Sequence, residues 1–362
     1  MSDNTPARIR WEAHPARALA TNTTLHAQWN ELNAACTGQV FLDAEAVVCA
    51  LEHFGKGDEQ LYIGGDGEHI QCMTVLTKTG AMRWSTFQPS QLPLGAFLIT
   101  PNAPLDTTTE SLIRSLPGMA LVLSITQIDP LYVQRPADTT TLRLDDYIET
   151  GWIELRGTFE EYWAARGKNL RQNMRKQLNR LAAEGVKAEV RMIRQADQME
   201  AAVGRYGDLE SAGWKAESGT AIHSSNSQGL FYSKLLALHA SKDNAVVFEY
   251  WLDGKLAASN LCLVREKSLV ILKTTYDEAH SQLSPAFLLL QAEVQSAYES
   301  RGASRVEFYG RKRDWHTRWT EHFRWLYHAT IYRNALIKRV AESKRASVPT
   351  NSPQQDAAPT PP

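Results

Sequence analysis

The segment from Tyr309 to Trp319 contains the densest set of side chains that could take part in catalysis or ligand binding. It joins four lysines and arginines to two tryptophans, His316 and Asp314. Histidine titrates near neutral pH, so His316 is predicted to act as a general base and Asp314 to orient it or a substrate amine. Trp315 is predicted to contact the substrate. A charged run of this kind is also typical of a solvent-exposed loop, and the sequence leaves both interpretations open.

A second candidate site lies where a strand ending at Tyr276 is followed by a helix that begins with Ser284 and Pro285. Serine is favoured at a helix N-cap and proline at the first helical position. Free backbone N–H groups at this positive helix end favour an anion such as pyrophosphate. The predicted N–H groups belong to Ala286, Phe287 and Leu288. A capped helix without a ligand fits the same residues.

Residues 168–180 have the spacing of a basic amphipathic helix. Leucine and methionine recur at positions 170, 174, 178 and 181, whereas Lys168, Arg171 and Arg175 share another face. That face suits the phosphates of a nucleotide, a tRNA or an anionic polymer, or else it is simply solvated.

Residues 210–215 combine a helix-terminating glycine with two functional side chains. Trp214 and Lys215 follow Gly213, and a loop rich in Ser, Gly and Asn comes next. Loops of this kind often carry function. We predict substrate contacts for Trp214 and Lys215 and a catalytic role for Lys215. A glycine cap with an anchoring tryptophan is the plainer alternative.

The elements that position these residues are clearest in the second half. A long helix is predicted over Thr158–Glu184, followed by a strand, two helices and a three-strand meander. After the helix that begins at Pro285, two further strands are predicted. The last five predicted strands are Ala245–Leu252, Leu256–Val264, Leu269–Tyr276, Arg305–Tyr309 and Phe323–Arg333. This order predicts an α/β fold with a mixed sheet and excludes a doubly wound parallel sheet.

Length and charge indicate two domains within the 362 residues. Residues 1–150 carry 9 lysines and arginines against 17 acids, a net of −8, and residues 151–362 carry 30 against 23, a net of +7. The basic half therefore suits an anionic ligand. We predict an N-terminal extension (1–24), a degenerate domain (25–150), an active domain (151–335), a C-terminal helix (336–345) and a disordered tail (346–362). Residues 136–150 are predicted to connect the halves.

Cysteine usage and hydropathy predict the compartment. The four cysteines form no CxxC pair and no disulfide framework, which favours a reducing environment. The N-terminus lacks an apolar signal region, and no run approaches the ~18 apolar residues of a membrane helix. We therefore expect a cytoplasmic protein without an integral membrane segment. The histidines at 316, 322 and 328 fit no familiar metal spacing, so no metal is expected.

Four segments of the chain are similar to sequence patterns shared by one group of proteins. Asn169–Gly185 is similar to the pattern NLRRxxRRLxxEG, residues 210–221 to ExxGWKG…GTA, and residues 276–290 to YDxxFxxxSPGxLLL. In the first half, Gln88–Gly95 is similar to a loop of the same proteins. Together these segments resemble the GNAT-type acyltransferases of the CelD/BcsL group, found in polysaccharide (cellulose) biosynthesis loci, which are themselves similar to the Fem-type doubled-GNAT aminoacyl transferases. Ala286 stands where the group has glycine, and His316 where it has lysine.

The resemblance implies two tandem GNAT-like domains, the first degenerate, and direct acyl transfer from acetyl-CoA or another acyl-CoA. The acceptor would be an amine or hydroxyl of a polysaccharide or cell-envelope precursor. The thioester would lie beside Leu272, Thr274 and Thr275, where a strand N–H stabilises the oxyanion. The pyrophosphate would lie at Ser284 and the residues after it. Gln91 and Tyr276 would join Trp214, Lys215 and Trp315 around the acceptor.

Two alternatives remain open at this stage. A Fem-like transferase that uses aminoacyl-tRNA would explain the basic helix, and tRNA would then be a partner. A non-catalytic GNAT-like subunit of a polysaccharide biosynthesis system would explain the departures at Ala286 and His316. The acceptor, the acyl chain and the oligomeric state are not determined by these patterns, because a fold alone does not fix a function.

Overall fold

The computed structural model describes residues 9–212, 222–265, 268–300 and 303–346. The chain divides into two compact units. Unit 1 comprises the residues up to Ile148 together with those from Trp325 onward, and unit 2 comprises Glu149–Arg324. The C-terminal strand and helix thus belong with the first half of the chain rather than with the second.

The elements follow one another in a mixed order. In the first part of the chain they are β1 (Arg10–Pro15), α1 (Ala18–Thr21), α2 (Thr23–Cys36), α3 (Ala44–Phe54), β2 (Gln60–Gly65), β3 (Ile70–Gly80), β4 (Arg83–Thr86), β5 (Phe97–Ile99), α4 (Leu105–Ser115), β6 (Val122–Ile128) and β7 (Leu142–Glu154). In the second part they are α5 (Phe159–Ala165), α6 (Lys168–Ala183), β8 (Ala188–Ile193), α7 (Met199–Ser211), α8 (Ser227–Ala240), β9 (Ala245–Leu252), β10 (Lys255–Arg265), β11 (Ser268–Tyr276), α9 (Pro285–Glu299), β12 (Arg305–Glu307), β13 (His322–Tyr332) and α10 (Ala335–Ala346).

Unit 1 is built on a mixed sheet with the order β1-β2-β3-β4-β6-β13, and β5 pairs with β3. The β4–β6 pair is parallel and the others are antiparallel. Residues 10–21, expected to be an extension, contribute the edge strand β1 and the short helix α1. Leu19 of α1 is fully buried in unit 1, so this segment is part of the domain.

Unit 2 repeats the same plan with the order β7-β12-β11-β10-β9-β8. Its β11–β12 pair is parallel and its other pairs are antiparallel. In both units a meander leads into a helix, and a strand parallel to the last meander strand follows. Both units therefore have the mixed α/β fold that the element order predicts.

Helices cover both faces of the unit 2 sheet. Phe248 and Tyr250 of β9 pack in a core with α6 and α9. Because neighbouring strand residues point to opposite faces, Glu249 lies on the other side, where its carboxylate is 2.8 Å from the Arg205 guanidinium of α7. The nearly continuous apolar run of β9 follows from this burial on both faces.

Two local predictions are wrong. The helix expected over Thr158–Glu184 is broken after Arg166, and Gly167 caps the second part in an extended conformation. The connection expected at residues 136–150 overlaps β7, which begins at Leu142. None of the helices within the described ranges is long and apolar enough to cross a bilayer.

Candidate functional site

The two parallel strands of unit 2 separate part-way along their length. β11 and β12 pair only from Ser268 opposite Arg305 to Val270 opposite Glu307. β12 then ends at Glu307, whereas β11 continues to Tyr276, and none of the described strands pairs with this last part of β11 on that side. The chain beyond β12 turns away through Tyr309, which has a positive φ of 47°. The result is a V-shaped opening in the sheet.

A β-bulge lies on the β11 side of this opening. Lys273 is opposite Leu261 of β10 and Ile271 is opposite Cys262, so Leu272 has no opposing residue. A bulge re-aims backbone groups and is common beside active sites. The predicted thioester residue Leu272 therefore occupies the irregular position of the strand.

Helix α9 begins at the wide end of the opening. Ser284 caps it in the left-handed region, with φ 51° and ψ 48°, and its side chain makes no capping hydrogen bond. The prediction of free N–H groups at Phe287 and Leu288 is wrong, because both donate to the Ser284 carbonyl, at 3.0 and 3.1 Å. The Ala286 N–H has no acceptor among the described residues, and Ala286 is only partly buried.

The opening contains a cavity of about 320 Å³. It is lined from both faces of the sheet, by Leu209 and Glu210 of α7 on one side and by Ala286, Phe287 and Leu290 of α9 on the other. The remaining lining residues are Asn260, Ile271, Leu272, Lys273, Thr274, Thr275, Tyr276, Glu278, Phe308, Gly310, Arg311, Arg313, Trp315 and His316. The structure thus brings together most of the residues that were predicted to bind the acyl-CoA, but Ser284 and Leu288 do not line the cavity.

His316 is buried at the wall formed by the segment after β12. Its ring stacks on Trp315 with centroids 3.6 Å apart, and Phe308 meets it edge-on. Burial lowers the pKa of His316 to about 4, and its Nδ1 accepts a hydrogen bond from the Arg313 N–H at 2.9 Å. The expected near-neutral pKa is therefore wrong. The ring is neutral with its proton on Nε2, which makes it a hydrogen-bond donor.

Asp314 does not orient His316. Its side chain is exposed, and it is absent from the cavity lining. The hydrogen bond to the His316 ring comes from the Arg313 N–H instead, which donates to Nδ1. A catalytic role for Asp314 stays a prediction without geometric support.

The cavity lining carries charges of both signs. Lys273, Arg311 and Arg313 contribute positive charge, against the carboxylates of Glu210 and Glu278. Glu210 is 3% exposed and accepts hydrogen bonds from the Ile222 N–H at 2.7 Å and the Tyr206 hydroxyl at 3.4 Å. None of these five lining residues was predicted from the sequence to have a role, although Arg311 and Arg313 lie in the basic segment between Tyr309 and Trp319.

A buried polar cluster stands behind the cavity and was also missed. Asn260 Nδ2 donates to Glu293 Oε2 at 2.6 Å, and Cys262 Sγ donates to Glu293 Oε1 at 2.9 Å. Burial raises the pKa of Glu293 to about 7. An asparagine in the middle of an apolar strand was the available signal, because strands disfavour it and a buried amide needs partners.

The other predicted residues lie apart from the cavity or outside the described chain. Trp214 and Lys215 fall in residues 213–221, which lie outside the described residues. Gln91 belongs to unit 1, in the loop between β4 and β5. On α6, Lys168, Arg171 and Arg175 are exposed as expected, whereas Leu178, placed in the apolar stripe, is 46% exposed.

The equivalent position in unit 1 is closed. Thr86 of β4 and Thr126 of β6 are joined through their hydroxyls at 2.6 Å. A Cβ at Gly95 would lie 2.6 Å from the Thr126 carbonyl oxygen. Only about 20 Å³ of space remains beside these residues, so this part of unit 1 has no room for a cofactor. Across the described ranges, no cluster of three or more His, Cys, Asp or Glu side chains could hold a metal ion.

Comparisons with known proteins agree with this geometry. Residues 168–317 match the family of the acetyltransferase (GNAT) domain. No curated protein matches the sequence. Residues 168–317 are therefore similar to a GNAT acetyltransferase domain, and the prediction of an acyltransferase is confirmed at the level of this domain. The finer CelD/BcsL assignment stays a prediction.

Three solved structures share the fold. FemX is 9% identical with a TM-score of 0.56, covering 87% of this chain and 98% of its own. A conserved protein of unknown function from Bacteroides thetaiotaomicron is 10% identical with a TM-score of 0.54, over 85% and 97% of the two chains. The C-terminal domain of a putative lysylphosphatidylglycerol synthetase from Agrobacterium fabrum is 16% identical with a TM-score of 0.51, over 89% and 96%. At these identities the likeness concerns the fold alone.

Proposed function

We propose that unit 2 transfers an acyl group from acyl-CoA to an amine or hydroxyl, with the donor bound in the V-shaped opening. One observation carries the proposal. The bulge at Leu272, the start of α9 at Ala286 and the widening gap between β11 and β12 all border the same cavity. A donor laid along this cavity reaches from the helix start to the bulge.

The phosphates of the donor would lie at the start of α9. The Ala286 N–H is available there, and the positive end of a helix favours an anion. Arg311 and Arg313 add positive charge to the cavity lining. Alanine at 286 keeps the approach to the backbone open, since its single methyl group is the smallest side chain after glycine.

The reaction itself would take place beside the bulge. The acceptor attacks the thioester carbonyl, a C–N or C–O bond forms, and the C–S bond breaks to release the CoA thiolate, which takes up the proton lost by the acceptor through water. A backbone N–H at Leu272 would stabilise the oxyanion. Neutral His316 serves in this scheme as a hydrogen-bond donor in the cavity wall rather than as the base. The largest contribution to the rate acceleration comes from holding the thioester and the acceptor close together in the correct orientation.

The acceptor would enter from the α7 side, where Glu210 lines the cavity. A saccharide or cell-envelope precursor is the acceptor that the CelD/BcsL resemblance favours. Trp214 and Lys215 follow α7 in the chain, and their predicted acceptor contacts belong to this part of the proposal.

Calorimetric titration with acetyl-CoA and longer acyl-CoAs tests the proposal. Wild type should bind with one site, and Ala286→Glu should weaken binding at least tenfold, because it places a carboxylate where the phosphates would lie. Ala279→Glu is the matched control, since it adds the same charge at an exposed position outside the cavity lining. Failure of wild type to bind any acyl-CoA, or unchanged binding by Ala286→Glu, would contradict the proposal.

The exposed basic face of α6 favours a second candidate, aminoacyl transfer from tRNA. FemX and the lysylphosphatidylglycerol synthetase domain share the fold, but the candidate depends on Lys168, Arg171 and Arg175. Binding through phosphates falls steeply with salt. Retention of charged tRNA at low salt that is lost in a Lys168→Glu, Arg171→Glu, Arg175→Glu variant would support it. Absence of retention by wild type would remove it.

A further inference from the structure

The side-chain oxygen of Asn260 is a buried hydrogen-bond acceptor that no described residue satisfies. The residue is 3% exposed and lines the cavity, and its Oδ1 has no hydrogen-bond partner among the described residues. A buried acceptor without a partner costs ~1–3 kcal/mol. A ligand that brings an N–H or O–H donor into the cavity would remove this cost.

The orientation of the Asn260 amide is fixed from behind. Its NH₂ group donates to Glu293 Oε2, while Cys262 Sγ donates to Glu293 Oε1. Glu293 is fully buried on α9. Because the carboxylate oxygens accept from these two donors, the NH₂ group of Asn260 is held toward Glu293 and Oδ1 is left for the ligand.

The place of Asn260 along the cavity identifies the kind of donor group. Its Cα partner on β11 is Thr274, two residues beyond the bulge at Leu272. The strand then runs on toward the start of α9 at Pro285. Asn260 thus lies between the proposed thioester position and the proposed phosphate position. In an acyl-CoA, the pantetheine arm joins these two groups, and it carries two amide N–H donors.

We propose that Asn260 Oδ1 accepts a hydrogen bond from an amide N–H of the donor's pantetheine arm, and that Glu293 and Cys262 are its positioning residues. The inference rests on the proposed function, because it takes the ligand in the opening to be an acyl-CoA. It adds a recognition residue on β10, a strand on which the sequence singled out no site residue.

The test compares two ligands. Acetyl-CoA carries the arm, whereas 3′-phosphoadenosine 5′-diphosphate has the phosphates of CoA but no arm. Asn260→Ala should weaken acetyl-CoA binding about tenfold and leave the nucleotide's affinity unchanged, since one hydrogen bond and its buried acceptor are involved. Ser259→Ala is the matched control, because Ser259 is a fully buried polar neighbour on β10 that does not line the cavity.

Two further variants guard against a simple loss of folding. The double variant Asn260→Leu, Glu293→Met replaces the polar pair with apolar side chains of similar size, so it removes the acceptor without leaving a buried charge unpaired. It should show the same tenfold loss. Glu293→Gln keeps an oxygen to accept from the Asn260 NH₂ group and should retain wild-type affinity for acetyl-CoA, whereas Glu293→Met alone should not.

The outcomes separate this inference from the proposed function. If wild type binds acetyl-CoA and Asn260→Ala binds it equally well, the role of Asn260 is overturned and the proposed function stands. An equal loss for both ligands would also overturn it, because the effect would not concern the arm. If wild type binds no acyl-CoA, both the proposed function and the role of Asn260 are contradicted.

Discussion

Replacing the buried Glu293 with glutamine should change how the stability of the protein depends on pH. Burial raises the pKa of this carboxyl from 4.5 to about 7. The folded state therefore holds the Glu293 proton more tightly than the unfolded state does. Between pH 4.5 and 7 the folded state binds more protons, so this group makes stability fall as the pH rises.

The magnitude follows from the shift. The rise of the Glu293 pKa from 4.5 to about 7, at ~1.4 kcal/mol for each pKa unit, corresponds to ~3–4 kcal/mol in total. Below pH 4.5 the carboxyl is neutral in both states and this cost is absent. Above pH 7 the full cost is present in wild type. Glutamine is neutral throughout, so Glu293→Gln should gain ~3–4 kcal/mol relative to wild type between pH 4.5 and 7.5.

Urea unfolding followed by tryptophan fluorescence at pH 5, 6, 7 and 8 measures the difference between the two proteins. Other groups that titrate cancel in this difference, because both proteins carry them. Glu160→Gln on the exposed surface of α5 is the matched control for removing a carboxylate. A Glu293→Gln difference that does not change with pH would refute the burial argument, and one that falls with rising pH would reverse its sign.

Three further outcomes are expected. The His316 ring, whose pKa burial lowers to about 4, should stay neutral at pH 6 in NMR spectra of labelled histidine, and a midpoint near 6.5 would contradict its burial. Gly95→Ala should destabilise the protein by ~1–3 kcal/mol, because its Cβ would lie 2.6 Å from the Thr126 carbonyl oxygen; Gly80→Ala, with its nearest neighbour at 3.6 Å, should cost less in the same thermal melt. Gly204→Ala in α7 meets open space and should raise stability by up to ~1 kcal/mol, so a drop in its melting temperature would count against the helix geometry.

Most strands of unit 2 were predictable because their periodicity is unambiguous. The strand β9 coincides with its predicted bounds, and β10 and β11 differ by a residue at each end or less. The strand β7 was missed because Asp145 and Asp146 give residues 142–154 the composition of a connection. Its pairing with β12, far along the chain, outweighs that local preference.

The site was predictable where its residues follow one another in the chain. Thr274, Thr275 and Tyr276 share a strand, and Ala286 lies in the first turn of the next helix, so their order along the chain indicated that they lie close together. The position of Asn260 beside the cavity depends on the register between β10 and β11. This register includes a bulge that no local sequence pattern indicates. His316 shows a related limit, because its pKa is lowered by burial, which depends on how the folded segment packs rather than on its neighbour Asp314.

A crystal structure of the protein with acetyl-CoA tests the central claim most directly. We expect the phosphates at the Ala286 N–H, the thioester carbonyl at the Leu272 bulge, and the pantetheine arm between them along β11. Density for acetyl-CoA elsewhere on unit 2, or in unit 1, would contradict it.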